Sequence, residues 1–116
     1  MRVLVCGGRD YQDAARVFFV LDHYHAQRPF SVVIHGAATG ADSLAGEWAT
    51  SRGVPVYAFQ ADWNLHGGAA GPIRNAQMIS EGKPNLVIAF PGGRGTRNMR
   101  AQARECWIDV LDIPPC

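Results

Sequence analysis

The chain has 116 residues, is 47% hydrophobic and 18% charged, contains 13 Gly and 7 Pro, and carries 11 basic against 10 acidic side chains for a formal charge of +1. That length suits one domain, residues 1–116, hiding roughly 65% of its unfolded surface in a single core, and the composition excludes a disordered tail, a collagen-like repeat and a charged coiled coil. No block of like charge appears, which argues against a general duplex-DNA binder, so nucleic acid is not expected as a partner. Cys6, Cys106 and Cys116 are too widely spaced for a disulfide framework or a zinc set, which points to a reducing cytoplasm. The opening MRVLVCGGRD is too short an apolar run for a signal peptide, and no stretch approaches the roughly 18 apolar residues of a membrane span, so no membrane partner is expected.

Val3 to Cys6 is β-branched and apolar without polar alternation and breaks at Gly7-Gly8, the pattern of a strand buried on both faces in a parallel sheet. Asp10 and Asp13 offer capping oxygens, and Ala14, Val17, Phe18, Leu21 and Tyr24 then recur at helical spacing, predicting a helix over about 11–26. Phe30 to His35 is a second buried strand. Thr39 and Asp42 have capping-box spacing before a helix whose stripe is Ala41, Leu44, Ala45, Trp48 and Ala49, ending at Gly53. Val54 to Phe59 reads as a third, shorter strand. Residues 60–72 hold four Gly or Pro and no sustained period, so they read as a long loop with a function. A short helix over Ile73 to Glu81, a fourth strand over Asn85 to Phe90, a helix over Thr96 to Glu105 and a strand near Ile108 to Ile113 complete the chain. This β-α alternation, with right-handed crossovers, predicts an α/β three-layer Rossmann-like domain: a five-stranded parallel sheet with helices on both faces.

In such sheets ligands sit beyond the carboxyl ends of the strands. Those ends are Gly7-Gly8-Arg9-Asp10, then Gly36-Ala37-Ala38-Thr39-Gly40-Ala41-Asp42, then Pro91-Gly92-Gly93-Arg94-Gly95-Thr96. Small residues let the backbone approach an anion, and each loop opens a helix whose first amides lack internal partners, an arrangement suited to phosphate. The glycines alternatively serve only as tight turns. Neither GxGxxG nor GxxxxGK[ST] is present, which disfavours a dinucleotide oxidoreductase or a P-loop triphosphatase. Arg9 and Arg94, held in glycine loops, are the better phosphate candidates. Arg97, Arg100 and Arg104 are spaced along one helix face and read first as a solvated surface.

No metal set emerges: His23 and His25 diverge on a helix, and His35 and His66 lack a nearby Cys or carboxylate at ligand spacing. His35, at a strand end, suits orienting a loop or bonding a ligand. The serines occupy no nucleophile elbow, and Cys6 reads as core. Asp10 and Asp42 are the carboxylates nearest the presumed cleft, each open to a role as general base, ribose ligand or helix cap. No cofactor is implied, and whether chemistry accompanies binding stays open.

Read together, VLVCGGRDY (3–11), IHGAATGADSLAGEWA (34–49), Asp62-Trp63, AAGPIRNAQMI (69–79) and AFPGGRGTRNM (89–99) resemble the SLOG superfamily, and in particular its YspA, or cpYpsA-related, branch. The resemblance implies a Rossmann-like fold that binds a nucleotide or nucleotide-derived small molecule. It also implies that Gly7, Gly8, Arg9, Gly36, Thr39, Gly40, Asp42, Arg74, Asn75, Gly92, Gly93, Gly95 and Thr96 line the cleft, the Arg74-Asn75 pair resembling one in DprA-like members. The related Lonely Guy phosphoribohydrolases carry PGGxGTxxE, whose glutamate takes part in breaking the N-glycosidic bond. Here that position is Met99. The reading is therefore a nucleotide-sensing or sequestering module. The alternatives are a phosphoribohydrolase-type enzyme, with Asp42 or Asp10 as base and Arg74 on phosphate, and a DprA-like binder of single-stranded DNA, which its near-neutral charge disfavours. Related proteins also imply a homodimer, for which Trp48, Trp63, Trp107, Phe19 and Val20 supply candidate apolar surface. Trp63 alternatively suits stacking on a base.

Overall fold

A computed structural model describes residues 1–115. In chain order the elements are β1 (Arg2–Cys6), α1 (Ala14–Gln27), β2 (Val32–His35), α2 (Ala41–Ser51), β3 (Val56–Ala58), α3 (Trp63–His66), a 3-10 turn (Gly67–Ala69), α4 (Ala70–Gly82), β4 (Leu86–Ala89), α5 (Arg94–Glu105) and β5 (Asp109–Asp112). The strands form one parallel sheet in the order β3-β2-β1-β4-β5. This is the expected Rossmann-like α/β architecture.

Side chains alternate across a strand, so each strand feeds both layers. Val3, Val5 and Val33 pack with Val17 and Leu21 of α1 and with Ala45 and Trp48 of α2. Leu4, Cys6, Ile34 and Val87 face the other way, onto Met78 of α4 and Met99 and Ala103 of α5. Removal of such side chains from water on both faces is the main favourable term, and it explains why the central strands carry continuous apolar runs. Trp48 is fully buried, and its indole N–H finds a partner in Asp22 Oδ1 at 2.8 Å. It is core, as is Val20, whereas Phe19 and Trp107 are exposed.

Several boundaries differ from the sequence reading. α1 begins at Ala14 because Asp13, rather than Asp10, is the N-cap, its Oδ1 accepting from Arg16 N at 3.0 Å. β3 is shorter than 54–59: it lies at the sheet edge with only β2 beside it, and Val54 N instead closes the end of α2 by donating to Ala49 O. Residues 60–72 are not a plain loop. Asp62 caps α3 by accepting from Leu65 N at 3.0 Å, and α4 starts three residues before Ile73, with Pro72 in its first turn where no amide donor is required. Dense Gly and Pro mask these starts in the sequence. α5 likewise begins at Arg94, two residues before Thr96.

α1 and α2 cover one face before the chain crosses and lays β4 beside β1 on the other side. The connections after β1 and β4 therefore leave in opposite directions. Their separation opens a crevice at the carboxyl ends of the two central strands.

Candidate functional site

Gly8 joins the three glycine-rich loops. Its amide donates to Pro91 O at 2.9 Å, and its carbonyl accepts from Ala41 N at 3.1 Å, the first amide of α2. Thr39 adds a further tie, its hydroxyl donating to Arg9 O at 3.0 Å. The loops cross so closely that side chains are excluded. A Cβ on Gly7 would stand 2.6 Å from that of Ala41, and one on Gly40, where φ is +76°, would overlap the carbonyl oxygen of Gly8. The tight-turn reading of Gly7, Gly8 and Gly40 thus has a specific form: they let loop pack on loop. Gly93 and Gly95 differ, since a Cβ on either meets nothing within 4 Å and both border open space.

That space is a cleft of about 740 Å³ whose walls include Gly7, Gly8, Arg9 and Asp10 from the β1 loop and Asp42 from α2. Arg74 and Asn75 of α4 and Gly93 to Thr96 at the start of α5 complete it, with Met99 at its floor. A smaller pocket of about 190 Å³ adjoins it under Arg9 and Arg74, bounded by residues 36–39, Gln60, Ala61 and Trp63. The sequence-selected residues are thereby brought to one edge of the sheet, with three exceptions. His35 and Gly40 lie behind the cleft wall as structural supports, and Gly92 is packed over the Thr96 hydroxyl.

Asp42 is buried, and the expected Thr39–Asp42 capping box does not form. Gly40 is the N-cap of α2, and Asp42 instead turns back, its Oδ2 accepting from Gly36 N at 3.1 Å and Ala38 N at 3.3 Å. Burial pushes its carboxyl up to about 6, with the Ala38 amide and Arg74 opposing that rise. A carboxyl raised from 3.8 binds more protons folded than unfolded, so its stabilising contribution is complete below about pH 4 and is lost as pH climbs through about 6. The shift corresponds to about 3 kcal/mol. Asp42→Asn keeps an oxygen for both amides and removes the charge. Urea denaturation should find the variant more stable than the wild type by about 2 kcal/mol at pH 7.5 and level with it at pH 4; a pH-independent difference would contradict this assignment.

Arg74 is half-buried beside Asp42. Its Nη1 donates to Gly36 O at 2.6 Å and its Nε to Asn75 Oδ1 at 3.1 Å. Asn75 is itself buried and spends its amide group on Gly95 O at 3.2 Å and Asn98 Oδ1 at 3.1 Å. Asn75 therefore sets the direction of Arg74 and anchors α4 to α5, instead of facing the cleft with a spare donor. His35 plays a comparable part: its Nδ1 accepts from Ala37 N at 2.9 Å, and burial lowers its pKa, so the ring is a neutral support for the β2 loop.

Asp10 stands exposed at the cleft rim. Arg97, Arg100 and Arg104 do not line the cleft; Arg100 and Arg104 clasp Asp112 at 2.6 and 2.9 Å. Cys6 sits under the cleft with its thiol pushed up to about 12, first by burial and then by Asp42, so it is no nucleophile at neutral pH. Cys106 is an exposed free thiol, and Cys116 lies outside the described residues. Among the described residues no three His, Cys, Asp or Glu side chains converge. The cleft instead offers amides and guanidinium groups, a set that suits anions better than cations.

Two contributions do not show in the sequence. Trp63 reads there only as a stacking or interface candidate, yet its ring carries the Arg9 guanidinium 5.0 Å above its centre. Asn98 and Gln102, which extend the Asn75 network, have no signal except their spacing of four on α5.

A crevice at the β1/β4 switch point, walled by crossing glycine loops, marks the chain as a Rossmann-like α/β domain. The family model described as the YspA, cpYpsA-related SLOG family matches residues 1–66, and the chain belongs to that family. It is similar to the Gene 61 protein of Mycobacterium phage D29, with 37% identity over 120 residues, covering 97% of this chain and 95% of the relative. Its fold is similar to the X-ray structure of DNA processing protein A, DprA, from Streptococcus pneumoniae, at a TM-score of 0.77 and 22% identity over 99% of this chain. The chain spans 50% of that structure. No helix among the described residues is long and apolar enough to cross a membrane.

Proposed function

We propose that the cleft binds a nucleotide or nucleotide-derived small molecule and holds it intact. The observation that carries this reading is the meeting, on the walls of one cleft, of the Gly93 to Thr96 amides at the start of α5 and the Arg74 guanidinium, with Met99 between α5 and the sheet. The first-turn amides of α5 have no intrahelical acceptor and carry partial positive charge, which a phosphate would complement. Met99 is 1% exposed and apolar at the position where Lonely Guy enzymes place their glutamate. An oxocarbenium-like transition state would find no carboxylate there. Asp42 is an inferior substitute, since its Oδ2 is already committed to two amides.

Thermal denaturation against mononucleotides, cyclic nucleotides and nucleotide sugars, followed by chromatography of each mixture, tests this directly. A ligand at about 100 times its Kd should stabilise the fold by about 2.7 kcal/mol and be recovered unchanged. Release of free base would replace the binding module by a phosphoribohydrolase-type enzyme. Stabilisation by single-stranded oligonucleotides alone would favour a DprA-like role.

A further inference from the structure

We infer that the pocket of about 190 Å³ beneath Arg9 and Arg74 is a second anion subsite, and that the ligand is accordingly a nucleotide carrying two phosphate groups at separate positions. This rests on the nucleotide reading above and narrows it to a class of ligand.

Two positively charged guanidinium groups line one small pocket: burial depresses the proton affinity of Arg74 most, Asp42 opposes that, and the like charge of Arg9 adds a smaller depression. Such a pair is retained at a cost unless an anion joins it. Among the described residues neither makes an ion pair, whereas Arg52, Arg100 and Arg104 each reach an aspartate. Asp42, the one carboxylate within their field among the described residues, can offset only one of the two charges, and its Oδ2 is occupied by the Gly36 and Ala38 amides. The positive charge in the pocket is therefore incompletely balanced by the protein.

Both guanidinium groups are also held in place. Arg74 spends Nη1 and Nε on Gly36 O and Asn75 Oδ1, which leaves its Nη2 edge for a ligand. Arg9 lies over Trp63 at 5.0 Å, a contact that fixes the plane of the group without consuming its donors. Thr39 and Trp63 also line the pocket. A preset fork of this kind suits a phosphate, which takes parallel N–H bonds from arginine.

The second cationic pole, Arg94 with the amides of α5, borders the larger cleft and is absent from the walls of the small pocket. A single phosphate can occupy one pole only. Two phosphates separated by a sugar, as in a nucleoside 3′,5′-bisphosphate, would occupy both, with the nucleoside in the volume of about 740 Å³ between. Trp63 and Gln60 stand on the wall of the small pocket away from α5, and the chain's near-neutral charge of +1 disfavours a strand of nucleic acid relative to a small molecule.

Calorimetric titration of the full chain with nucleoside 5′-monophosphates and 3′,5′-bisphosphates of the four common bases, each with wild type, Arg9→Gln and Arg9→Lys, tests the inference. Arg9 is exposed, so both variants should fold. For the base that binds best, the bisphosphate should bind at least about tenfold more tightly than the monophosphate. Arg9→Gln should reduce that ratio to about one, and Arg9→Lys, which keeps the charge but loses the fork, should restore only part of it. A ratio near one in the wild type, or an Arg9→Gln variant that weakens both compounds by the same factor, would overturn the second subsite while leaving the nucleotide site standing. Binding of none of these compounds would overturn both. A short oligothymidylate that binds more tightly than every bisphosphate would also overturn it, in favour of a nucleic-acid strand.

Discussion

Gly40→Ala should be the most damaging single-methyl change in the chain, costing about 3 to 5 kcal/mol. The residue has φ +76° and ψ −129°, a conformation in which a Cβ is strained whatever surrounds it, at a cost of roughly 1–3 kcal/mol. Here the surroundings are also closed. The added carbon would overlap Gly8 O and approach the Arg9 carbonyl carbon at 2.6 Å, both backbone atoms. Backbone cannot swing aside as a side-chain tip does, so either α2 moves or the β1 loop does. Moving α2 would break Ala41 N to Gly8 O, and moving the β1 loop would break Gly8 N to Pro91 O. Denaturant unfolding should therefore show a large loss of stability, and the surviving folded fraction should bind nucleotide poorly because the three loops no longer meet. A loss under about 1 kcal/mol would mean that the loops are more compliant than this packing implies. Gly53→Ala is the useful contrast: φ is +69° there, but nothing lies within 4 Å, so only the conformational part of the cost should remain.

Arg74→Gln should have the largest effect on binding, weakening whichever nucleotide the wild type holds by about 100-fold. A charge-assisted hydrogen bond to phosphate contributes about 1.5–3 kcal/mol, and the upper part of that range is a factor of about 100. The upper part applies because Arg74 is half-buried, where solvent screens its charge less, and because its guanidinium is already oriented by Gly36 O and Asn75 Oδ1. Glutamine places its amide nitrogen near the Nε position, where Asn75 Oδ1 can accept, but falls short of Gly36 O and carries no charge. Stability should fall by less than binding: the substitution removes a hydrogen bond to the neutral Gly36 carbonyl and the attraction of Asp42, and the second loss is limited because Asp42 can take up a proton. Equal losses in stability and affinity would recast Arg74 as a structural residue, and unchanged affinity would remove it from the site.

The fold is legible in the sequence because the buried strands announce themselves. Val3-Leu4-Val5 and Val87-Ile88-Ala89-Phe90 are apolar on both faces, and each is followed by glycine and a helical period, which specifies parallel crossovers. The edge strand is harder to read. Val56 to Ala58 is exposed on all three residues, so its limits come from pairing with β2, which sequence periodicity does not report. The segment 60–72 misleads for a different reason: Asp62 is a capping residue that marks α3, but the Gly-Gly and Gly-Pro steps nearby outweigh it.

Within the site, the glycine loops and the nearby arginines are visible as residue types, and their convergence follows from strand order alone. The direction of each side chain is not. Asp42 looks like a capping partner for Thr39, and only the sharp turn at Gly40 sends it back to the Gly36 and Ala38 amides. Asn75 looks like a ligand donor, and only the approach of α5 shows its amide used within the protein. Long-range partners of this kind leave no local spacing to read. Arg9 and Trp63 are a further case, 5.0 Å apart in space and far apart in the chain.

The most direct measurement of nucleotide binding in the glycine-loop cleft is amide chemical-shift mapping of the isotope-labelled protein during titration with the nucleotide that stabilises it most. Saturable shifts should concentrate at Gly93, Arg94, Gly95 and Thr96, with a second group at Gly8, Gly36 and the Arg74 side chain, and little change along α1 or β3. Saturable shifts centred on α1, β3 or the outer face of α5 would contradict binding in this cleft, as would the absence of saturable shifts with every nucleotide tried.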